Sequence, residues 1–181
     1  FVPIIFTACY IRTPAWAQVA RTESTDDDEW DVPSSNYTKR YSLSDGGSLA
    51  IVFIDTTTLA PEENECCNED GGISTTLQAK RIYNQMANVE RMLYEARYGN
   101  PATYVVVAGH YPIVSGGDHG DCDSLVYGAS VVSDAPSLLS LLTEYEVDMY
   151  FAGHDHFSQH LQYSGIDFFI CGGGAMIDDK N

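Results

Sequence analysis

The sequence YVVVAGHYP at residues 104–112 and the sequence VDMYFAGHDH at residues 147–156 share one layout. In each, a short apolar run leads into a glycine and then a histidine, which predicts a strand that ends in a tight turn. In sheets flanked by helices, ligands bind just outside the carboxyl ends of the strands. We therefore expect His110, His154 and His156 to meet at one edge of a sheet, where neutral imidazoles are common ligands of transition metals.

The segments on either side alternate between strand and helix patterns. Apolar residues that recur every three or four positions predict an amphipathic helix, which Gly99, Asn100 and Pro101 then end. A second helix is predicted from a cap at Asp134, with Pro136 in its first turn. The predicted elements are strands at 37–43 and 48–55, a helix over 82–96, a strand at 104–108, a helix from 134 to about 145, a strand at 147–152 and a hairpin over 161–171. This order predicts a layered α/β domain of mixed α+β character.

Length, composition and charge exclude several classes of protein. The chain has 181 residues, of which 44% are hydrophobic, so it is long enough for one domain with a substantial core. It carries 26 acidic and 9 basic side chains, for a net charge of -17. Such a surface repels polyanions, so nucleic acid and anionic membrane faces are not expected partners. No apolar run approaches the roughly 18 to 20 residues that span a bilayer.

The first 17 residues are expected to differ from the rest of the chain. They are apolar from Phe1 to Tyr10, and Ala15-Trp16-Ala17 has the small-x-small form of a signal-peptidase site. An initiating Met and a basic leader are absent, so this segment is a signal peptide, the start of a fragment or unrelated sequence. We therefore divide the chain into an N-terminal segment at 1–17 and a domain portion at 18–181.

Cysteine usage and one triplet favour a secretory or lysosome-like compartment. Cys66 and Cys67 lie in an acidic segment and Cys122 in a glycine-rich one, so a disulfide between loops is possible. Asn36-Tyr37-Thr38 is an N-glycosylation acceptor sequence.

Two further residues near the histidine motifs are candidates for chemistry. His119 lies between glycines, and such a loop could carry it over a pocket as a general acid or substrate contact, or simply expose it to solvent. Asp155 could orient a ligand ring or serve as a turn residue. His160 falls in a predicted strand and is interpreted as structural.

The paired histidines allow a site for two metal ions. In an extended chain the side chains of His154 and His156 would point to opposite faces, but Gly153 permits a sharp bend. The two imidazoles could then straddle a pair of ions, with His110 joining one of them. Two metals roughly 3.5 to 4 Å apart are a standard device for hydrolysing phosphate esters.

Taken together, these motifs resemble the C-terminal half of a purple acid phosphatase of the small tartrate-resistant type, within the calcineurin-like metallophosphoesterases. The matching features are GHYP at 109–112, His119, GHDH at 153–156 and the glycines at 172–174. The resemblance implies part of a sandwich of two mixed sheets flanked by helices, and hydrolysis of phosphate monoesters or phosphoproteins at acidic pH.

The same resemblance implies roles for individual residues and a cofactor. The histidines matching His110 and His154 bind a divalent metal, iron, zinc or manganese, and the one matching His156 binds ferric iron. The histidine matching His119 contacts the phosphate and helps to protonate the leaving alcohol. A disulfide between loops like those of Cys66 or Cys67 and Cys122 is also a family feature.

The chain departs from that family pattern upstream of these motifs. It contains neither Gly-Asp-x-x-Tyr nor Gly-Asn-His, which supply a bridging aspartate, an iron-binding tyrosine and further ligands. We therefore expect residues 1–181 alone to have an incomplete ligand set and little or no phosphatase activity. Two alternatives are a degenerate phosphoesterase that acts as a non-catalytic binding module, and purely structural histidines.

Overall fold

One mixed β-sheet organises the chain. The computed structural model describes residues 32–60, 75–132 and 134–174. In these ranges six strands pair in the order β1-β2-β3-β4-β6-β5. β2, β3, β4 and β6 run parallel to one another, and the edge strands β1 and β5 pair antiparallel with their neighbours. The mixed α/β class expected from the sequence is confirmed.

The strands and helices follow in an order that brings neighbouring strands together through helical crossovers. The strands are β1 Tyr37–Ser42, β2 Ser48–Phe53, β3 Tyr104–Ala108, β4 Met149–Ala152, β5 Ser158–Tyr163 and β6 Ile166–Cys171. The helices are α1 Thr56–Leu59, α2 Thr75–Tyr94, α3 Asp123–Tyr127 and α4 Leu138–Glu144, and a π-helical turn at Glu95–Gly99 extends α2.

The main core lies between one face of the sheet and the helices. Inward-facing strand residues such as Val107 and Tyr150 are at most 1% exposed, and they join one apolar cluster with Leu93 of α2 and Leu142 of α4. Burial of this surface is the main favourable term for the fold. A smaller buried cluster on the other face contains Val32, Tyr37, Phe53 and Ala108.

Most of the predicted elements are present, with some shifted boundaries. β3 has the predicted bounds, and both hairpins form where the sequence indicated them. The predicted cap at Asp134 is wrong, because the Ser137 side chain accepts a hydrogen bond from the Ser140 amide and begins α4 three residues later. Pro136 therefore precedes the cap and is not in the first turn.

The sequence did not predict the short helices α1 and α3. The acidic segment with Cys66 and Cys67 lies outside the described residues, as do residues 1–31 and hence the predicted division at residue 17. The carboxyl ends of β2, β3 and β4 share one edge of the sheet because these strands are parallel neighbours. The histidine motifs follow β3 and β4 at this edge.

Candidate functional site

The turn after β3 is fixed by two buried side chains from neighbouring elements. The backbone amides of His110 and Tyr111 both donate hydrogen bonds to the Thr56 hydroxyl at 3.0 Å. The Tyr150 hydroxyl donates to the Tyr111 carbonyl at 2.7 Å. A Cβ on Gly109 would lie 2.5 Å from the Thr56 methyl and 2.8 Å from the Tyr150 hydroxyl, so only glycine fits there. The position of His110 is therefore set by the contacts of this turn with Thr56 and Tyr150.

The turn after β4 holds His154 in an uncommon backbone conformation. Its φ is +62°, in the left-handed region that non-glycine residues seldom adopt. The Gly153 amide donates to the His110 carbonyl at 3.0 Å, which ties the two motifs together. Residues in such conformations persist only where the surrounding structure holds them, and they cluster at functional sites.

These turns, together with the loop that carries His119, bring three of the predicted site histidines into one group. The His154 ring centroid lies 5.2 Å from that of His110 and 4.4 Å from that of His119. The Tyr111 ring packs on His154 at 4.6 Å. His156 is close enough for its charge to lower the pKa of both His110 and His154.

His160, interpreted as structural, lies apart from this group. It is in β5, stacks on the Phe169 ring at 4.4 Å and pairs with the Asp167 carboxylate at 2.8 Å.

Burial and repulsion from neighbouring rings keep the imidazoles of His110 and His154 neutral, because both lower the pKa of these two side chains. Desolvation, followed by the charges of His154 and His156, lowers the pKa of His110 from 6.5 to about 4. For His154, desolvation and then the charge of His119 lower the pKa to about 4, against an opposing effect of Asp155. Only neutral imidazole has a lone pair for a metal ion, so both rings remain able to act as ligands in mildly acidic solution.

The fit of these residues to a metal centre is incomplete. Nδ1 of His110 is buried and has no hydrogen-bond partner, as expected of a ring nitrogen reserved for a ligand. However, no group of three or more His, Cys, Asp or Glu side chains within residues 32–60, 75–132 and 134–174 is arranged to hold a metal ion. The described part of the chain therefore does not fit a two-metal centre, which also needs carboxylate ligands and a bridging oxygen.

Asp155 contacts a neighbouring loop. One expectation from the sequence had been that it orients the ring of a ligand histidine. Its carboxylate accepts hydrogen bonds from the Ser115 hydroxyl and from the His119 backbone amide, the latter at 3.4 Å. A Cβ on Gly172 would lie 1.8 Å from the Asp155 carbonyl, so the glycine segment after β6 packs directly on this turn.

Sequence reasoning missed Thr56, Tyr150 and Ser115. Thr56 could have been found, because it follows the apolar strand β2 and so belongs to the same sheet edge as His110. Tyr150 and Ser115 are conventional strand and loop residues, and no local pattern marks their long-range hydrogen bonds.

The other predicted site residues are the candidate disulfide cysteines and the candidate glycosylation site. Cys122 is 4% exposed, directly before α3, whereas Cys66 and Cys67 are outside the described residues, so the disulfide stays a prediction. The Asn36 side-chain amide donates to Gln85 at 2.7 Å and accepts from the Asp55 amide at 2.9 Å. Glycosylation at Asn36 would have to compete with these contacts, and it also stays a prediction.

Comparison with known proteins identifies the family. The profile of the calcineurin-like phosphoesterase family matches residues 26–158. Tartrate-resistant acid phosphatase type 5 of Sus scrofa is 34% identical over 155 residues, covering 82% of this chain and 40% of that protein. Glideosome-associated protein 50 of Plasmodium falciparum is 26% identical over 172 residues, covering 88% of this chain and 37% of that protein.

A solved structure agrees with this assignment of the fold. The structure titled "GAP50 the anchor in the inner membrane complex of Plasmodium" superposes with a TM-score of 0.64 at 24% identity, over 91% of this chain and 48% of that one. The chain thus spans about 40% of the length of the curated relative from Sus scrofa. Among the described residues, no helix is long and apolar enough to cross a membrane. The chain belongs to the calcineurin-like phosphoesterase family, with the tartrate-resistant acid phosphatases among its relatives.

Proposed function

We propose that this chain contributes the histidine side of an acid phosphatase active site, one that hydrolyses phosphate monoesters. The observation that carries the proposal is the buried, unpartnered Nδ1 of His110 beside the neutral ring of His154. A buried polar atom without a hydrogen bond costs free energy, so its retention at the carboxyl edge of the sheet favours a ligand-binding role. Because the chain belongs to a phosphoesterase family, the chemistry proposed for this ligand site is hydrolysis of phosphate esters.

Each histidine has a proposed part. His110 and His154 would bind a divalent metal, iron, zinc or manganese, and His156 would bind ferric iron. His119, exposed on its loop and 4.4 Å from the His154 ring, is the proposed phosphate contact and proton donor to the leaving oxygen. A histidine suits the role of proton donor, because the ordinary pKa of imidazole lies near the mildly acidic pH range in which the ring must give up and regain a proton.

Residues 1–181 alone are proposed to have little or no turnover. The described part of the chain brings imidazoles together but adds no carboxylate ligand to them. Three imidazoles can hold one zinc or copper ion weakly, whereas a two-metal centre needs bridging oxygen ligands. Activity would therefore depend on acidic ligands supplied by further sequence.

The substrates, partners and location follow from this proposal. Small phosphate monoesters or phosphoproteins are the expected substrates, and the net charge of -17 argues against nucleic acid. A secretory or lysosome-like compartment is proposed, in keeping with a phosphatase that works at acidic pH. The oligomeric state is left open.

The proposal is tested by metal content and turnover together. Residues 1–181 are expressed with iron and zinc, and bound metal and hydrolysis of p-nitrophenyl phosphate at acidic pH are measured. We expect less than two metals per chain, a loss of bound metal in His110→Ala, and no turnover above background. His160→Ala is the matched control, because it removes an exposed imidazole outside the group and should leave bound metal unchanged.

Two results would change the conclusion. Two metals per chain with turnover that His110→Ala abolishes would show that the ligand set is complete. Equal metal binding by His110→Ala, His160→Ala and the wild type would refute the ligand role of the group.

A second candidate function is a non-catalytic binding module. It is favoured by the relationship to glideosome-associated protein 50, whose solved structure is described as an anchor. A module of this kind would fold equally well without metal, and substitution of His110 or His154 would leave its partner binding unchanged. The metal measurement above therefore discriminates between the two candidates.

A further inference from the structure

Asp155 is a fully buried carboxylate placed between two candidate metal ligands. It is 0% exposed, and both hydrogen bonds that its carboxylate accepts come from one loop, Ser115–Asp121. Burying a carboxylate costs free energy unless it is hydrogen-bonded, so these two hydrogen bonds stabilise Asp155 in its buried position. The Asp155 carboxylate therefore binds the Ser115–Asp121 loop.

The loop packs closely on the segment that contains Asp155. The Gly117 amide donates to the Ser115 hydroxyl at 3.0 Å, and that hydroxyl in turn donates to Asp155. A Cβ on Gly117 would lie 2.8 Å from the Asp155 carboxylate and 2.3 Å from the Phe157 ring, so glycine is required for this approach. A second contact follows at Gln159, whose side-chain oxygen accepts from the Gly116 amide at 3.0 Å.

His119 is the residue whose position these contacts determine. Its side chain is exposed, yet its ring centroid lies 4.4 Å from that of His154. Its own backbone amide is the second donor to the Asp155 carboxylate, beside the Ser115 hydroxyl. An exposed loop histidine without such a contact would sample many positions, so the hydrogen bond restricts where the ring can be.

We propose that Asp155 is a positioning residue for His119: its carboxylate binds the Ser115–Asp121 loop and keeps the His119 ring against His154, ready to meet a phosphate ester. The proposal rests on the proposed phosphatase function for its substrate, but the placement of the loop is a property of the chain itself. Asp155, the residue between the paired histidines, would thereby determine where His119 contacts the substrate.

The test uses NMR of ring contacts and amide exchange. In the wild type we expect nuclear Overhauser effects between the His119 and His154 rings and between the His110 and His154 rings. Asp155→Ala should lose the first contact and keep the second. Ser115→Ala, a milder change, should speed exchange of the His119 amide about tenfold to a hundredfold, the range for loss of one hydrogen bond to a charged group.

Two further variants separate positioning from general stability. Asp155→Asn keeps the shape and one acceptor and should restore the His119–His154 contact that Asp155→Ala loses. Asp167→Asn, the same change at a partly exposed carboxylate that pairs with His160, should leave both contacts unchanged. Unchanged ring contacts and exchange in Asp155→Ala and Ser115→Ala would overturn the proposal, as would equal loss of both ring contacts in Ser115→Ala.

Turnover provides a separate result where the metal-loaded protein is active. Asp155→Ala should then lower kcat for an alkyl phosphate, whose leaving oxygen needs a proton, more than for p-nitrophenyl phosphate, with little change in KM. Equal losses on the two substrates would overturn the link to His119. A wild-type protein without turnover is the result that the proposed function predicts for residues 1–181, and the NMR result then decides the role of Asp155 by itself.

Discussion

Thr56→Val tests the packing that places His110. The Thr56 hydroxyl accepts hydrogen bonds from the backbone amides of His110 and Tyr111, each at 3.0 Å, and the residue is 1% exposed. Valine keeps the shape of threonine but has no acceptor, so both amides lose their partner. An unsatisfied buried donor costs about 1–3 kcal/mol, and the His110 amide is only partly buried, so we expect a loss of about 2–4 kcal/mol.

This loss is a large share of the stability of a single domain, which is commonly about 5–15 kcal/mol. It is measured as the free energy of unfolding in urea, followed by circular dichroism at several denaturant concentrations. Thr56→Ser, which keeps the hydroxyl and removes only the methyl group, should be clearly more stable than Thr56→Val. The hydrogen bonds, and not the methyl contact, should therefore account for most of the effect.

Thr143→Val is the matched control for the same exchange. Its hydroxyl bonds the Leu139 carbonyl within α4, on an exposed part of the helix. Exposed substitutions of this kind usually change stability by less than about 0.5 kcal/mol. Equal losses in Thr56→Val and Thr143→Val, or equal losses in Thr56→Val and Thr56→Ser, would refute the reasoning.

The remaining predictions concern pH and the glycine segment after β6. The pKa of His110 and of His154 is lowered from 6.5 to about 4 in the fold, so below pH 6.5 the unfolded chain takes up protons first. The free energy of unfolding without metal should therefore fall as the pH drops from 6.5 towards 4, and a flat profile in urea titrations would contradict this. Gly172→Ala should lower the melting temperature, because its Cβ would lie 1.8 Å from the Asp155 carbonyl, whereas Gly174→Ala meets nothing within 4 Å. Equal melting temperatures of these two variants would contradict this prediction and show that the turn after β4 can move to accommodate the added Cβ.

The sheet and the edge that carries the histidines could be predicted because their signals are local. The apolar run at Tyr104–Ala108 has the length and composition of a buried strand, and the glycine that follows marks its end. The two hairpins were likewise marked by turn residues. Placing His110 and His154 at one edge then needed only the rule that parallel neighbours end together.

The parts that could not be predicted depend on contacts distant in sequence or on very short elements. α1 and α3 have four and five residues, too few for a hydrophobic period, and they are held by packing. At the start of α4 the sequence predicted a cap at Asp134, and only the hydrogen bond from the Ser140 amide identifies Ser137 as the actual cap. The hydroxyl of Tyr150 donates to the Tyr111 carbonyl 39 residues away, and no local pattern in the sequence marks such a bond.

The most direct test of the central claim is a zinc titration of the purified chain followed by NMR of the histidine rings. The claim is that His110, His154 and His156 form the metal-binding side of a phosphoesterase site. It predicts that zinc shifts the ring resonances of these three residues and leaves those of His160 unchanged. Shifts confined to His160, or no shift in any ring, would contradict it.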